Sequence, residues 1–269
     1  MSNRVRVFAA MLLLSSIPSS QAEDFHTAMM RATVKLQHDK STATGFILQQ
    51  ALPDDRGGPR SILVTAKHVF EKTTGDETSL VYRTRESEGV YKKESLTLPI
   101  RKEGQPRWTE HPSEDVAVMV VSLPAIADVA EIKTERLAGD EQLRGQNIHP
   151  GQTVALLGYP HRTEANDAGF PILRTGAIAS YPLVPASANH TFLLNANTFE
   201  GDSGGPIYLA AGPKDHEQES DLILGLMHGQ RFLDEEMKMI YGTSKVRHRL
   251  GLGIVVQAAF IRETIERLP

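Results

Sequence analysis

Short apolar segments rich in β-branched residues recur along this chain, and they constrain its fold more than any other feature. Segments of this length, separated by Gly, Pro and Asp, are typical of strands in an all-β barrel or sandwich. The connecting segments, such as 53–59 and 212–215, have the composition of surface loops. The predicted strands cover residues 33–36, 45–48, 61–64, 116–121, 153–157, 172–178, 207–209, 222–227 and 252–256.

The end of the chain follows a different period. Residues 256–268 place Val256, Phe260, Ile261 and Ile265 on one helical face, which predicts a C-terminal α-helix packed on the strands. It is the one departure from the strand pattern that we predict. A seam between two halves of comparable size is predicted near residues 138–150.

The first residues have the pattern of a targeting segment. Arg4 and Arg6 precede the apolar run 7–14, and small residues at 20–22 offer a cleavage site. The run is too short for the roughly 20 apolar residues of a membrane span. We therefore predict that residues 1–22 are a secretory signal peptide and that the protein is exported, periplasmic or secreted, without stable membrane insertion after their removal.

Composition excludes several classes of function. The chain of 269 residues has no cysteine, which excludes disulfide frameworks, thiolate metal sites and a cysteine nucleophile. Its formal net charge is −4 and its basic residues are scattered, so nucleic acid is not an expected partner. No residue spacing suggests a metal site or cofactor, and the oligomeric state stays open.

Residues 201–206, Gly-Asp-Ser-Gly-Gly-Pro, are the candidate catalytic segment, with a serine as the reactive group. A serine hydroxyl becomes a good nucleophile when an imidazole accepts its proton and a carboxylate orients that imidazole. The flanking glycines allow backbone N–H groups to turn toward a reacting oxygen. The alternative is an ordinary tight turn with an inert serine.

This string resembles the signature of the trypsin/chymotrypsin-like serine peptidase superfamily, and the resemblance implies a histidine and then an aspartate upstream. Residues 64–70 are similar to the histidine motif of that family, which makes His68 the candidate general base. Residues 111–121 are similar to its acid-containing strand, with Asp115 as the candidate acid and Glu114 as the local rival. Ser203 would be the nucleophile, and the N–H groups of Gly201 and Ser203 would form the oxyanion hole.

The pattern Gly-x-Ser-x-Gly at 201–205 also fits an α/β-hydrolase esterase. That fold requires a helix directly after the nucleophile, and residues 206–209 favour a strand instead. It also requires the acid and the histidine after the serine, where few residues remain. Chain order therefore favours the trypsin-like family.

The wider resemblance is closest to bacterial cysteine-free members, including the protease domain of the HtrA type, through segments 44–47, 151–160 and 251–254. It implies an all-β chymotrypsin fold over 23–269. Two antiparallel six-stranded β-barrels would cover about 30–140 and 150–256, followed by the helix at about 256–268. No segment resembles the PDZ domains of HtrA proteins. The implied function is a serine endopeptidase hydrolysing proteins or peptides; the alternative is a catalytically weak trypsin-like binding or signalling protein.

Asp202 poses a separate problem. In animal digestive enzymes of this family the equivalent carboxylate pairs with a new N-terminus released by cleavage, and no Ile-Val-Gly-Gly sequence follows a basic residue here. Arg31 could mark a cryptic cleavage site, although an arginine before a strand is ordinary. Because a buried carboxylate without a partner is costly, we predict a hydrogen-bonded or cationic neighbour for Asp202.

The resemblance also implies a substrate pocket. Asn197 would lie at its base, and Thr198, Met227, His228 and Gly229 would form its walls and a strand edge for substrate. Without an acid at the base, a strong preference for Arg or Lys is not expected. His228 and Thr198 could favour an acidic or polar side chain, or His228 could simply pack beside the substrate.

Overall fold

The structure is a computed structural model that describes residues 23–52, 58–210, 221–239 and 242–269. The predicted signal peptide, the loop at 212–215 and most of the loop at 53–59 lie outside these residues. Each of the nine predicted strand segments falls on an observed strand, with Val116 directly preceding its strand. In the described part of the chain, no helix has the length and apolar character needed to cross a membrane.

The first half forms an antiparallel sheet of seven strands in the order β5-β4-β1-β2-β3-β9-β8. A closed six-stranded barrel, as the resemblance implied for this half, is not what the described residues show: the sheet is open. Among the described residues its two edge strands, β5 and β8, do not pair with each other. A separate hairpin pairs β6 with β7. The strands are β1 Thr33–His38, β2 Ser41–Gln50, β3 Arg60–Thr65, β4 Glu77–Ser87, β5 Val90–Pro99, β6 Arg101–Lys102, β7 Gln105–Pro106, β8 Thr109–Glu110 and β9 Ala117–Val121.

The second half forms the closed six-stranded antiparallel barrel that was predicted, in the order β10-β11-β12-β15-β14-β13. Its last two strands continue as a long two-stranded hairpin that carries exposed Phe232, Leu233 and Met237. The strands are β10 Thr153–Gly158, β11 Ile172–Ile178, β12 Thr191–Asn195, β13 Pro206–Leu209, β14 Leu222–Met239 and β15 Gly242–Gln257.

In the described ranges four α-helices accompany the sheets: α1 Phe25–Ala32, α2 Lys67–Lys72, α3 Asp140–Gly145 and α4 Ala258–Glu266. The C-terminal helix α4 is confirmed, with Phe260, Ile261 and Ile265 buried. The expectation that only the C-terminal end departs from the strand pattern is wrong. Helix α1 begins at an N-cap, Asp24, whose carboxylate accepts a hydrogen bond from the Thr27 N–H at 2.9 Å.

Three apolar clusters hold the molecule together. One lies in the first sheet, one lies in the barrel, and the third contains buried side chains from both halves together with α1 and α4. In this shared cluster Phe46 and Val64 of the first sheet join Leu157 and Tyr208 of the barrel. Because close-packed interiors resist shear, the shared cluster fixes the two halves relative to each other and so positions residues that meet between them.

Candidate active site at the junction of the two halves

The loop before β13 has no room for a Cβ at three positions, and at two of them, Gly201 and Gly204, the backbone also has positive φ. Gly201 has φ +100°, and a Cβ there would lie 2.1 Å from the carbonyl oxygen of Tyr159. Gly204 has φ +84°, and its Cβ would lie 2.2 Å from the carbonyl oxygen of Thr44. No real Cβ makes such contacts, so the glycines let the loop approach the backbone of both halves closely.

The carbonyl groups of this loop are held by neighbours. The His161 N–H donates to Glu200 O at 2.7 Å, and the Thr44 hydroxyl donates to Gly201 O at 2.7 Å. His161 adopts φ +47°, an unfavourable conformation for a residue with a side chain. The N–H groups of Gly201 and Ser203 have no hydrogen-bond partner within the described part of the chain. The loop thus carries two backbone donors that no described acceptor occupies.

Asp202 is fully buried, and its predicted partner exists. Arg174 of β11 donates to both carboxylate oxygens, at 2.9 Å and 2.5 Å, and the Phe199 N–H donates to Oδ2 at 2.8 Å. The two-pronged guanidinium contact matches carboxylate geometry. A side chain already in the barrel therefore neutralises Asp202, so a new N-terminus is not needed for this purpose.

His68 lies in the first turn of α2, directly after β3. This short helix is anchored by Phe70, which is fully buried and packs on Trp108 with ring centroids 5.2 Å apart. The Asp115 carboxylate accepts two hydrogen bonds from His68: one from the backbone N–H at 2.9 Å and one from ring Nδ1 at 2.6 Å. Because an ionised carboxylate only accepts, Nδ1 carries a proton, and in the neutral ring Nε2 therefore keeps its lone pair.

The local rival for the acid, Glu114, is engaged elsewhere. Its carboxylate accepts a hydrogen bond from His190 Nδ1 at 2.8 Å. Of the two neighbouring acids, the structure brings only Asp115 to His68.

A second histidine contacts the same carboxylate. His228 Nδ1 lies 2.5 Å from Asp115 Oδ2, the oxygen that His68 Nδ1 also contacts. The two imidazole rings meet edge to face, with centroids 5.9 Å apart. Burial raises the pKa of Asp115, but the hydrogen bonds from His228 and His68 outweigh it and hold that pKa well below its usual range. The hydrogen bond to Asp115 in turn raises the pKa of His228.

Two cavities meet at Ser203 and His68, which line both. The first, of about 420 Å³, also borders Gly201, and the second, of about 610 Å³, also borders Asp115 and His228. Ser203 and Asp115, far apart in sequence, therefore face a common space beside His68.

Comparison with known proteins decides the family. The family model described as trypsin-like peptidase domain matches residues 43–212, which is more than half of the chain. The chain belongs to the trypsin-like peptidase domain family. No curated protein sequence matches it in a direct search.

Solved structures give a weaker likeness. An inactive-form crystal structure of a serine-to-alanine mutant of Rv3671c from M. tuberculosis H37Rv is 17% identical, with a TM-score of 0.47 over 90% of this chain and 88% of that chain. A crystal structure of the Rv3671c protease, also in an inactive form, is 17% identical, with a TM-score of 0.45 over 90% of each chain.

In this trypsin-like domain, most of the predicted pocket residues lie together. Thr198, Met227, His228 and Gly229 line the second cavity with Ser203. Asn197 lines neither of the two cavities at Ser203; its carbonyl oxygen accepts a hydrogen bond from Arg174 at 3.0 Å.

Three contributions to this trypsin-like site were not predicted from the sequence: Arg174 as the partner of Asp202, Thr44 and His161 as holders of the loop carbonyls, and His228 as a second partner of Asp115. From the sequence, Thr44 was predicted only as part of a strand and His228 only as a residue of the substrate pocket. None of these residues belongs to a motif with its partner, so no sequence spacing could have paired them.

Proposed function

We propose that this protein is an exported serine endopeptidase in which Ser203 is the nucleophile, His68 the general base and Asp115 the residue that orients His68. The observation that carries the proposal is the contact between His68 Nδ1 and Asp115 Oδ2 at 2.6 Å. That contact fixes the proton on Nδ1 and leaves Nε2 as a base, in a ring that shares two cavities with Ser203.

The reaction proceeds through an acyl-enzyme. His68 Nε2 accepts the proton of the Ser203 hydroxyl as its oxygen attacks the scissile carbonyl, and the resulting imidazolium is stabilised by Asp115. The same proton passes to the leaving amine as the peptide C–N bond breaks. A water molecule then attacks the ester, with His68 again accepting and returning a proton, and the carboxylic acid is released.

The negative oxygen of the tetrahedral intermediate would be bound by the N–H groups of Gly201 and Ser203. These donors are already free, because the neighbouring carbonyls of Glu200 and Gly201 are held by His161 and Thr44. Donors fixed before the reaction stabilise the developing charge without a cost of reorganisation, and one such donor is worth about 3 kcal/mol.

Charge in the first cavity supports acidic peptides as substrates. Lys40, Lys72 and Arg162 line it, and Glu200 is the carboxylate among its lining residues. None of the three cations forms a salt bridge with another described residue. A substrate with Asp or Glu near the scissile bond would neutralise charges that now face the cavity without partners.

The catalytic proposal is tested by labelling the folded protein with a fluorophosphonate and locating the adduct by mass spectrometry. We expect one adduct, on Ser203, and loss of both labelling and casein hydrolysis in Ser203→Ala. His248→Gln, a substitution of a hairpin residue that lines neither cavity at Ser203, is the matched control. A folded protein that takes no label at Ser203 would favour a trypsin-like binding or signalling protein over an enzyme.

The substrate class is tested by profiling a peptide library. We expect selection of Asp and Glu close to the cleaved bond, and loss of that selection in the double variant Lys40→Gln/Arg162→Gln. Equal cleavage of acidic and basic peptides by the unmodified protein would overturn the acidic preference while leaving the catalytic proposal intact.

A further inference from the structure

We propose that His68, Asp115 and His228 form a binding site for one Zn²⁺ ion, and that the ion reversibly inhibits the enzyme. Binding is a property of these three side chains alone. The inhibitory consequence rests on the function proposed above, because it requires His68 to be the general base.

The three side chains already converge. One nitrogen of each histidine and one oxygen of the carboxylate all lie within 4.8 Å of one another. Zn²⁺ binds imidazole nitrogen and carboxylate oxygen at about 2.0–2.2 Å, so ligand atoms around a tetrahedral ion are separated by a little over 3 Å. The present contacts of 2.6 Å and 2.5 Å to Asp115 are hydrogen bonds, and they need to lengthen by less than 1 Å to admit the ion.

The chemistry of the ligands suits Zn²⁺. Two imidazoles and one carboxylate are the protein ligands of many catalytic zinc sites, in which solvent takes the fourth position. Cysteine is absent from the chain, so thiolate sites cannot compete for the ion within the protein.

An ion can reach the site from solvent. All three side chains line the second cavity, and the His228 side chain is 42% exposed. The same cavity would supply the water molecule for the fourth position. Neighbouring positive charge comes from Lys72 and from Arg247, although Asp234 pairs with Arg247 at 2.7 Å.

Zinc binding requires the protons on Nδ1 of both histidines to leave those atoms. Each histidine now donates a hydrogen bond from its Nδ1–H group to Asp115. Nδ1 must therefore lose this proton before its lone pair can bind the ion. In a neutral ring the proton moves to Nε2 through water and the ring stays neutral; a protonated His228 would release one proton to solvent. Zn²⁺ is neither oxidised nor reduced, and three bonds from the protein to the ion form as the two hydrogen bonds to Asp115 are lost.

This tautomer change explains the inhibition. A zinc-bound His68 carries its proton on Nε2, the nitrogen that must accept the proton of Ser203. The base is thereby lost while the nucleophile and the oxyanion donors remain. Removal of the ion by a chelator returns the proton to Nδ1 and restores the enzyme.

Binding is measured first, by calorimetric titration of ZnCl₂ into the full-length Ser203→Ala variant, which cannot turn over. We expect one ion per chain. In Ser203→Ala/His228→Asn, an amide donor can still reach Asp115 but a zinc ligand is lost, and we expect the affinity to fall by at least about 10-fold. The control Ser203→Ala/His248→Gln removes a hairpin histidine that pairs with Glu235 at 3.0 Å and lines neither cavity at Ser203, and it should bind like Ser203→Ala.

Two results would overturn the site: no saturable zinc binding to Ser203→Ala, or equal affinity with and without the His228→Asn change. These results do not depend on catalysis, so they are distinct from a failure of the proposed function.

Inhibition is measured second, on the protein with Ser203 intact. We expect Zn²⁺ to abolish peptide hydrolysis, a chelator to restore it, and the inhibition constant of His228→Asn, relative to its own zinc-free rate, to rise by about 10-fold or more. Zinc binding at this site without loss of hydrolysis would overturn the inhibitory role.

Discussion

Asp115 and Asp202 are both aspartates of the site, but their carboxylates differ in burial and in the kind of partner that they contact. Asp202 is fully buried and held by one permanent cation, Arg174, together with a backbone N–H. The Asp115 side chain keeps 14% of its surface exposed and is held by two titratable rings, His68 and His228.

The two carboxylates therefore differ in role: the partner of Asp202 is structural, and the partners of Asp115 can exchange protons. A guanidinium cannot be deprotonated in a protein, so the Arg174 pair is a fixed part of the barrel and shapes the loop that carries Ser203. An imidazole can gain, lose or move a proton, so the partners of Asp115 can take part in proton transfer and metal binding. Substitutions that disrupt one of these two clusters at a time should therefore have different effects.

The largest effect is expected from Asp115→Asn. The amide cannot hold His68 in the tautomer with its proton on Nδ1, and we expect kcat to fall by about 10⁴-fold. The folded state should persist, because the replacement is nearly isosteric. Steady-state kinetics with a chromogenic peptide, alongside circular dichroism, measures both. The neighbouring variant Glu114→Gln is the control, and an equal loss there would assign the acid to Glu114.

The next effect concerns stability. Arg174→Met leaves Asp202 buried without its cation, and breaking a buried pair in this way costs about 3–5 kcal/mol. We expect the free energy of unfolding in urea to fall by that amount. We also expect Ser203 to lose its labelling by fluorophosphonate, because the loop that carries it is no longer held.

Arg174→Lys is the matched control for that variant. It retains the positive charge but not the two-pronged contact, so its unfolding free energy should lie between those of Arg174→Met and the unmodified protein. An unchanged urea midpoint in Arg174→Met would contradict the structural role of the pair.

The smallest effect is expected at His228. Its hydrogen bond to the ionised Asp115 is worth about 1.5–3 kcal/mol. The part of this energy that positions the carboxylate should lower kcat by roughly 10-fold in His228→Leu, since 1.36 kcal/mol corresponds to a factor of ten. The KM for a short peptide should change less than kcat.

His228→Asn separates the hydrogen bond from the ring, because its amide can donate from nearly the position of Nδ1. We expect it to recover much of the kcat lost in His228→Leu. If both variants raise KM and leave kcat unchanged, His228 acts as a pocket wall rather than as a positioning residue for Asp115.

Much of the secondary structure was readable from the sequence where a segment is buried on at least one face. Strands such as β3 and β10 carry uninterrupted apolar residues, and they were predicted. Strand β4 was missed because polar and charged residues dominate its sequence, and β5 because most of its residues are exposed. The long hairpin beyond the barrel was missed because most of its residues are also exposed. Such strands are held by pairing with a neighbour, which composition does not reveal.

Whether a sheet closes into a barrel could not be predicted from the sequence either. The sequence predicted two barrels, but among the described residues only the second sheet is closed, because closure depends on whether edge strands meet in register. That is a relation between residues far apart in the chain.

By itself, the sequence determined the family and the candidate nucleophile, base and acid, because local backbone demands leave a local pattern. Gly201 and Gly204 are required by a tight loop, and His68 follows a buried strand that a short helix must continue. Only the tertiary structure decided which charges neutralise one another. Arg174 reaches Asp202 across the barrel wall, and His228 reaches Asp115 from the other half of the molecule. A side chain's partner in a folded protein is set by the packing of distant elements, and for that reason the sequence could predict that Asp202 has a partner but could not name it.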